Sequence, residues 1–137
     1  MPLVDTVADA EAAVAASHYP PLGARSWGPL HGARPVHQPG SDGGRHAVPL
    51  CSVMIETARA LEAVEGIAAV PGVDMIFVGP FDLSLALGLE VDDLLASTGE
   101  RAPLERIIGA CRVAGIRAGA YAGTPERAAI LGAAGFS

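Results

Sequence analysis

Residues 51–88 read CSVMIETARALEAVEGIAAVPGVDMIFVGPFDLSLALG, and this stretch decides the fold. Two apolar runs, residues 51–56 and 73–78, indicate buried strands. Thr57 is placed to cap the helix between them, and apolar residues spaced three apart predict its inward face: Leu61, Val64 and Ile67. Strand, helix and strand at this spacing predict a βα unit with parallel strands.

The alternation of strands and helices continues on both sides of this stretch. In chain order the further predicted elements are a strand end at residues 2–4, a helix capped by Asp5 or Thr6 that runs to about Ala16, a short helix at 83–87, an acidic loop at 90–100, a helix opened by Pro103 and ended by Gly115, a strand at 116–121, and a helix from Thr124 to about Gly135. The predicted inward faces of the two longer helices are Val7, Ala10 and Val14, and Leu104, Ile107, Ile108 and Cys111. Residues 28–50 are rich in Gly and Pro without periodicity, and we expect a long mobile loop there.

Repeated βα units predict a single α/β domain over residues 1–137, with a parallel sheet whose apolar strands are covered on both faces. Two architectures are compatible with this pattern, an open doubly wound sheet and a (β/α)8 TIM barrel. An open sheet usually carries a glycine-rich nucleotide loop, and the sequence contains neither GxGxxG nor GxxxxGK[ST]. A complete barrel needs about 250 residues. The sequence therefore predicts part of a barrel.

The composition excludes several classes of function. The chain has 9 Lys+Arg against 15 Asp+Glu and a formal net charge of −6, which argues against nucleic acid or an anionic membrane surface as a partner. All nine basic residues are arginines, so neither a P-loop lysine nor a Schiff-base lysine is available. Any aldolase or decarboxylase chemistry in such a chain would therefore need a metal ion or another electron sink.

Cysteine use and hydropathy indicate the compartment. Cys51 and Cys111 lack CxxC spacing and are typical of buried apolar residues in a reducing environment. His31, His37 and His46 offer a makeshift metal site with Cys51, but the spacing fits no usual zinc pattern, and we expect solvated loop histidines.

No signal peptide is visible, and no apolar run approaches the roughly 20 residues that cross a bilayer. We expect a cytoplasmic protein.

Two carboxylates follow the predicted strands. Glu56 ends the first strand and Asp82 follows the second. Since the carboxyl ends of parallel strands meet at one edge of a sheet, both could bind one divalent cation and leave positions for water and a chelating substrate. Alternatively, they only cap the helices that follow. The pattern alone leaves both interpretations open.

The segment from Val53 to Gly88 resembles the HpcH/HpaI aldolase family of metal-dependent pyruvate aldolases. The resemblance continues backwards through residues 2–29 and forwards through 105–137, and the loop between residues 30 and 49 does not match. Its paired signature is IET followed by GPFDLS, which sets Glu56 and Asp82 26 positions apart.

The resemblance implies a (β/α)8 barrel, of which the chain corresponds to roughly strand 4 to helix 7. It also implies a homo-oligomer that is usually hexameric, and a Mg²⁺, Mn²⁺ or Co²⁺ ion held by Glu56 and Asp82. It implies cleavage of 4-hydroxy-2-oxo acids to pyruvate and an aldehyde, with pyruvate chelated by the metal. The backbone around Pro80, Phe81 and Asp82 is implied to lie beside the pyruvate carboxylate. Many relatives have alanine where Phe81 stands. Arg25 matches a family arginine, and we expect it to orient the site rim or a substrate carboxylate.

The resemblance also implies what these 137 residues do not supply. The family's catalytic histidine, its aspartate partner and the arginine beside the enolate come from barrel strands that match no part of the chain, and His18 matches none of those positions. The catalytic residues therefore stay unassigned, and we expect weak or no turnover by the chain alone. The alternative is a non-catalytic half-barrel that binds a divalent metal or acts only as a subunit of a larger assembly. A small nucleotide-binding module is disfavoured by the missing glycine fingerprint.

Overall fold

The computed structural model describes residues 1–21, 23–26, 49–99 and 102–137. Its elements are α1 (Val7–Ser17), β1 (Ser52–Ile55), α2 (Ala58–Glu62), α3 (Val64–Ala68), β2 (Met75–Val78), α4 (Pro80–Leu87), α5 (Val91–Ala96), α6 (Pro103–Ala114), β3 (Arg117–Ala120) and α7 (Pro125–Ala134). The strands form one parallel sheet in the order β1-β2-β3. This confirms an α/β fold with parallel strands alternating with helices. All but the last two residues of the predicted loop at 28–50 lie outside the described residues.

At each edge of the sheet, one terminal residue of the chain pairs with the backbone of the edge strand. The amino group of Met1 donates to the Ser52 carbonyl over 2.7 Å, and the Met1 carbonyl accepts from the Met54 N–H over 2.8 Å. At the other edge, the Ser137 N–H donates to the Ala118 carbonyl over 2.9 Å. The first and last residues therefore lie beside the two edge strands, β1 and β3.

The hydrophobic core lies between the sheet and its helices. On one face of the sheet, the fully buried side chains are Val53, Ile55, Ile76 and Val78. On the other face, Met54, Met75 and Phe77 are only half-buried. The prediction that the strands are covered on both faces is therefore met on one face within the described residues, whereas the other face is half-buried.

Most helix boundaries follow the predicted local signals. The hydroxyls of Thr6, Thr57 and Thr124 accept backbone N–H groups at the N-caps of α1, α2 and α7. Gly115 and Gly135 end α6 and α7 with φ of +71° and +109°, a backbone conformation that glycine adopts without steric cost. None of the helices in the described ranges is long and apolar enough to span a membrane.

Two predicted helices differ in detail from the structure. In α1 the buried residues are Ala10 and Ala13, whereas Val7 is 40% exposed, because the helix presents its small side chains to the core. The single helix predicted after Thr57 is two short helices, α2 and α3, which meet at Ala63. The predicted stripe of Leu61, Val64 and Ile67 is buried in spite of this break.

The predicted acidic loop at 90–100 contains a helix. Leu94 and Leu95 pack into the core and hold α5 in place, while Asp92 and Asp93 lie in its first turn, where acidic side chains suit the helix dipole. The strand β2 is shorter than predicted because the Val73 N–H turns back to the Val70 carbonyl over 3.1 Å. α4 begins earlier than predicted, at Pro80, which places Asp82 inside its first turn.

Candidate functional site

Glu56 directly follows β1 and is buried, with 8% of its surface exposed. Its Oε1 accepts a hydrogen bond of 2.7 Å from the backbone N–H of Leu3. A carboxylate has about four acceptor positions, so this bond leaves most of the acceptor capacity of Glu56 for a cation. The side chain is therefore both fixed in place and able to bind.

The register of the sheet brings the end of β2 against Glu56. Ile55 pairs with Val78, and the Gly79 N–H donates to the Ile55 carbonyl over 3.3 Å. A Cβ at Gly79 would lie 3.3 Å from Glu56 Oε2, so the carboxylate occupies the space that a side chain would take. Asp82 follows one helical turn later, exposed in the first turn of α4. Glu56 and Asp82 thus follow two neighbouring strands at the same edge of the sheet.

The structure offers little support for a simple capping role. The N-cap of α2 is Thr57, whose hydroxyl accepts the Ala60 N–H over 3.0 Å, and Glu56 is bonded instead to Leu3. The N-cap of α4 is Gly79, which makes no side-chain cap hydrogen bond. Asp82 lies three residues further on, where its charge favours the helix dipole.

The carboxylate pair fits the chemistry of a hard divalent cation. Mg²⁺ binds oxygen ligands and usually keeps several waters beside one or two carboxylates. Among the described residues no group of three or more His, Cys, Asp or Glu side chains could hold a metal ion. Glu56 and Asp82 would therefore hold a cation together with water or substrate oxygens rather than in a closed protein cage.

An aromatic cluster lies beside Asp82. Pro80 is buried at the start of α4, and Phe81 is 42% exposed. The Phe81 ring lies 5.9 Å from the ring of Tyr121, and the guanidinium of Arg127 lies 5.4 Å from the Phe81 centroid. Arg127 Nε donates to Asp92 Oδ1 over 2.8 Å, and this hydrogen bond holds the pKa of Asp92 below its ordinary value. The surface next to Asp82 is thus aromatic, and the ion pair between Arg127 and Asp92 holds Arg127 beside it.

The structure does not bring Arg25 to this edge. Its backbone N–H donates to the His18 carbonyl over 2.8 Å at the C-terminal end of α1, and its guanidinium lies 4.8 Å from the centre of the Tyr19 ring. α1 begins beside Thr57 and has 11 residues, which places its C-terminal end about 16 Å further along the helix. The expectation that Arg25 orients the site rim is therefore not supported by its position.

The described histidine, His18, lies at the same remote end of α1. Its Nδ1 makes a hydrogen bond of 2.9 Å with the Val14 carbonyl. His31, His37 and His46 lie outside the described residues. Cys51 and Cys111 are buried and free, as predicted for small apolar residues.

Sequence reasoning missed three contributors to this edge. The N–H of Leu3 contacts Glu56 only because residues 53 positions apart pair in the fold, and no local sequence pattern predicts this contact. Tyr121 was assigned to the last strand, but β3 ends at Ala120 and leaves Tyr121 exposed beside Phe81. Gly79 carried a usable signal, since a glycine between a strand and Pro80 often marks a close approach.

Comparisons with known proteins show which family the chain is similar to. A family model described as HpcH/HpaI aldolase/citrate lyase matches residues 1–129. A 4-hydroxy-2-oxovalerate aldolase from Novosphingobium aromaticivorans is 39% identical over 120 residues, covering 85% of this chain and 45% of the relative. A 2-dehydro-3,6-dideoxy-6-sulfogluconate aldolase from Pseudomonas putida is 39% identical over 127 residues, covering 92% of this chain and 49% of the relative.

Solved structures show the same relationship. A crystal structure of an HpcH/HpaI aldolase/citrate lyase family protein from Burkholderia cenocepacia J2315 superposes with a TM-score of 0.77 at 30% identity, covering 99% of this chain and 54% of that one. The HpcH/HpaI aldolase from Desulfitobacterium hafniense DCB-2 gives a TM-score of 0.75 at 25% identity, covering 99% and 53%. The chain spans about half the length of the relatives that it matches.

Proposed function

The chain belongs to the HpcH/HpaI aldolase/citrate lyase family, and from this premise we propose that Glu56 and Asp82 hold a divalent metal ion beside a site for pyruvate. The reaction is the cleavage of a 4-hydroxy-2-oxo acid to pyruvate and an aldehyde. The observation that supports the site is the contact of Gly79 with Glu56, which sets Asp82 one helical turn away. We also propose that the chain forms a homo-oligomer and lies in the cytoplasm.

The residues of this edge divide the binding between them. Glu56 is buried and fixed by the Leu3 N–H, so it supplies a ligand of constant position. Asp82 is exposed and supplies the ligand on the open side. Phe81 and Asp82 lie in the first turn of α4, where backbone N–H groups lack a partner within the helix and can donate to the carboxylate of a 2-oxo acid.

The bound metal, Mg²⁺ or Mn²⁺ or alternatively Co²⁺, supplies Lewis-acid stabilisation of the negative charge that develops on the 2-oxo group as the carbon–carbon bond breaks. This chemistry suits a chain without lysine. Phe81 and Tyr121, whose ring centroids lie 5.9 Å apart, would line the surface next to Asp82. Their exposed rings suit an apolar substrate portion more than a charged one.

Turnover also needs a group that takes the proton of the 4-hydroxyl and a cation beside the developing enolate. His18 is held at the remote end of α1, so it cannot serve as that base. General acid–base help is typically worth about 10²–10⁴-fold, and a single electrostatic donor contributes about as much. We therefore propose that the chain alone binds metal and pyruvate but turns over slowly. A non-catalytic metal-binding half-barrel, or a subunit of a larger assembly, is the second candidate.

The test measures pyruvate binding and turnover separately. Relaxation of the pyruvate methyl protons by protein-bound Mn²⁺ reports binding, and a coupled pyruvate-release assay with 4-hydroxy-2-oxo acids reports turnover. We expect relaxation that Asp82→Asn abolishes and that Asp93→Asn, a change in the first turn of α5, leaves intact. Relaxation that is unaffected by Asp82→Asn would contradict the site. Metal-dependent pyruvate release favours the lyase, whereas binding without release favours the second candidate.

A further inference from the structure

We infer that the backbone N–H of Leu3 is a positioning group for the metal ligand Glu56, an inference that rests on the proposed function. This N–H lies 2.7 Å from Glu56 Oε1 and points at a carboxylate that is 8% exposed. A hydrogen bond to an ionised carboxylate is both directional and stronger than one between neutral groups. It therefore fixes the rotation of the carboxylate, which decides where the remaining lone pairs point.

The segment that carries this N–H is attached to the chain around Glu56 at three successive places. Met1 pairs with the backbone of β1, Leu3 donates to Glu56, and the hydroxyl of Thr57 donates to Asp5 Oδ1. Each contact joins residues 51 to 53 positions apart, so the first five residues run parallel to residues 52–57. The Leu3 N–H is thus held by contacts on both sides and does not depend on its own side chain.

The conformation of Leu3 supports a role for its backbone. Its φ of +55° lies in the left-handed region, which carries a steric cost for any residue with a Cβ. Its side chain is 69% exposed, so burial of the leucine does not account for this conformation. The left-handed conformation and the hydrogen bond to Glu56 thus occur at the same residue. Strained backbone in a fold often lies where a group must be aimed.

The inference predicts a specific effect on metal affinity. Groups that hydrogen-bond a metal ligand typically change affinity about 10–100-fold when they are removed. The Leu3 N–H can be removed without altering a side chain by replacing residue 3 with the corresponding α-hydroxy acid, which converts the amide to an ester. Cys51 allows this, because a synthetic segment of residues 1–50 can be ligated to recombinant residues 51–137 at the native cysteine.

The matched control is an ester at Asp5. The Asp5 N–H donates to Asp9 Oδ2 over 3.2 Å, so this ester removes one hydrogen bond from the same segment without touching Glu56. Mn²⁺ affinity of each ligated full chain is measured by calorimetry, and its stability by urea unfolding. We expect the Leu3 ester to bind Mn²⁺ about tenfold more weakly than the ligated parent, and the Asp5 ester to stay within about twofold.

A second readout requires no metal. In the parent chain the amide proton of Leu3 should show the downfield NMR shift of a bond to a carboxylate, and Glu56→Gln should move it while Asp93→Asn does not. If the two esters bind Mn²⁺ with equal affinity while Glu56→Ala abolishes binding, the metal site stands and the inference about the Leu3 N–H is wrong. If Glu56→Ala leaves parent binding intact, the metal site itself is wrong, and the inference falls with it.

Discussion

Gly79 lies directly against the carboxylate of Glu56: a Cβ at position 79 would lie 3.2 Å from Glu56 Cβ and 3.3 Å from its Oε2. The φ of Gly79 is −93°, which other residues adopt readily. The contact with Glu56, rather than an unusual backbone conformation, therefore explains why position 79 is a glycine. The end of β2 and the proposed ligand thus share one small space. This contact couples the packing of the sheet edge to the position of the ligand.

Gly79→Ala should therefore weaken Mn²⁺ binding more than it weakens the fold. We expect about a tenfold loss of affinity, in the range seen when the surroundings of a ligand are altered, with about 1 kcal/mol of destabilisation. Calorimetry and urea unfolding measure the two effects. The control is Gly109→Ala in α6, where a Cβ meets open space and should raise stability by about 0.5–1 kcal/mol. Unchanged Mn²⁺ affinity in Gly79→Ala would contradict this account of the contact.

Thr57 has two roles that a matched pair of variants can separate. It caps α2, and its hydroxyl donates to Asp5 in the first segment of the chain. Thr124 caps α7 in the same way. We expect Thr57→Ala to cost about 2 kcal/mol and Thr124→Ala about 1 kcal/mol, because the second hydrogen bond of Thr57 is part-buried and joins residues 52 positions apart, whereas that of Thr124 goes to the nearby, exposed Glu126. Thermal or urea unfolding measures both. Equal losses would mean that the contact with Asp5 contributes nothing.

The ion pair between α3 and α6 predicts the acid dependence of stability. Arg106 donates to both carboxylate oxygens of Glu65 over 2.7 and 2.8 Å, and these hydrogen bonds lower the pKa of Glu65 from 4.5. The stabilisation is therefore present above about pH 4.5 and is lost as the pH falls through the folded value. Because Glu65 is 56% exposed, solvent screening limits the effect to about 0.5 kcal/mol.

Urea unfolding between pH 7 and pH 3 tests this pair. Glu65→Gln should lower stability at pH 7 and show a shallower loss towards pH 3 than the parent chain. Glu11→Gln, an exposed change in α1, should keep the parent's acid dependence. A Glu65→Gln profile parallel to that of the parent would show that the ion pair contributes nothing to folding.

Cys111 predicts the alkaline limit of stability. Burial in α6 raises the pKa of its thiol, and a hydrogen bond with the backbone of Ile76 opposes this only partly. The unfolded thiol ionises near pH 8.5 to 9, whereas the folded thiol ionises at a higher pH, so the free energy of unfolding should fall as the pH rises above about 9. Cys111→Ala should flatten the unfolding profile between pH 8 and pH 10. An unchanged slope in this variant would contradict the prediction.

Local signals predicted most of the fold, because caps and turns depend on few neighbouring residues. Thr57 and Thr124 were placed at helix starts, and Gly115 and Gly135 at helix ends, from side-chain and backbone preferences alone. α5 was missed because Asp92 and Asp93 give residues 90–100 the composition of a loop. Only the packing of Leu94 and Leu95 against the core reveals the helix.

The sequence predicted the positions of the two carboxylates of the candidate site, and their role as metal ligands stays a prediction. Glu56 and Asp82 follow from the rule that parallel strands end at one edge, and the structure places both there. The Leu3 N–H and the contact with Gly79 depend on tertiary pairing, which sequence periodicity does not encode. Arg25 was expected at the rim because it matches a family position, but the backbone hydrogen bond with His18 fixes it at the far end of α1.

Titration of Mn²⁺ by calorimetry into the parent chain, Glu56→Gln, Asp82→Asn and Asp93→Asn tests the central claim most directly. We expect one ion per chain, at least about tenfold weaker binding in the Glu56 and Asp82 variants, and binding within about twofold of the parent in the Asp93 control. Asp93 is matched to Asp82 as an exposed aspartate in the first turn of a helix. Mn²⁺ binding that neither Glu56→Gln nor Asp82→Asn weakens would contradict the account.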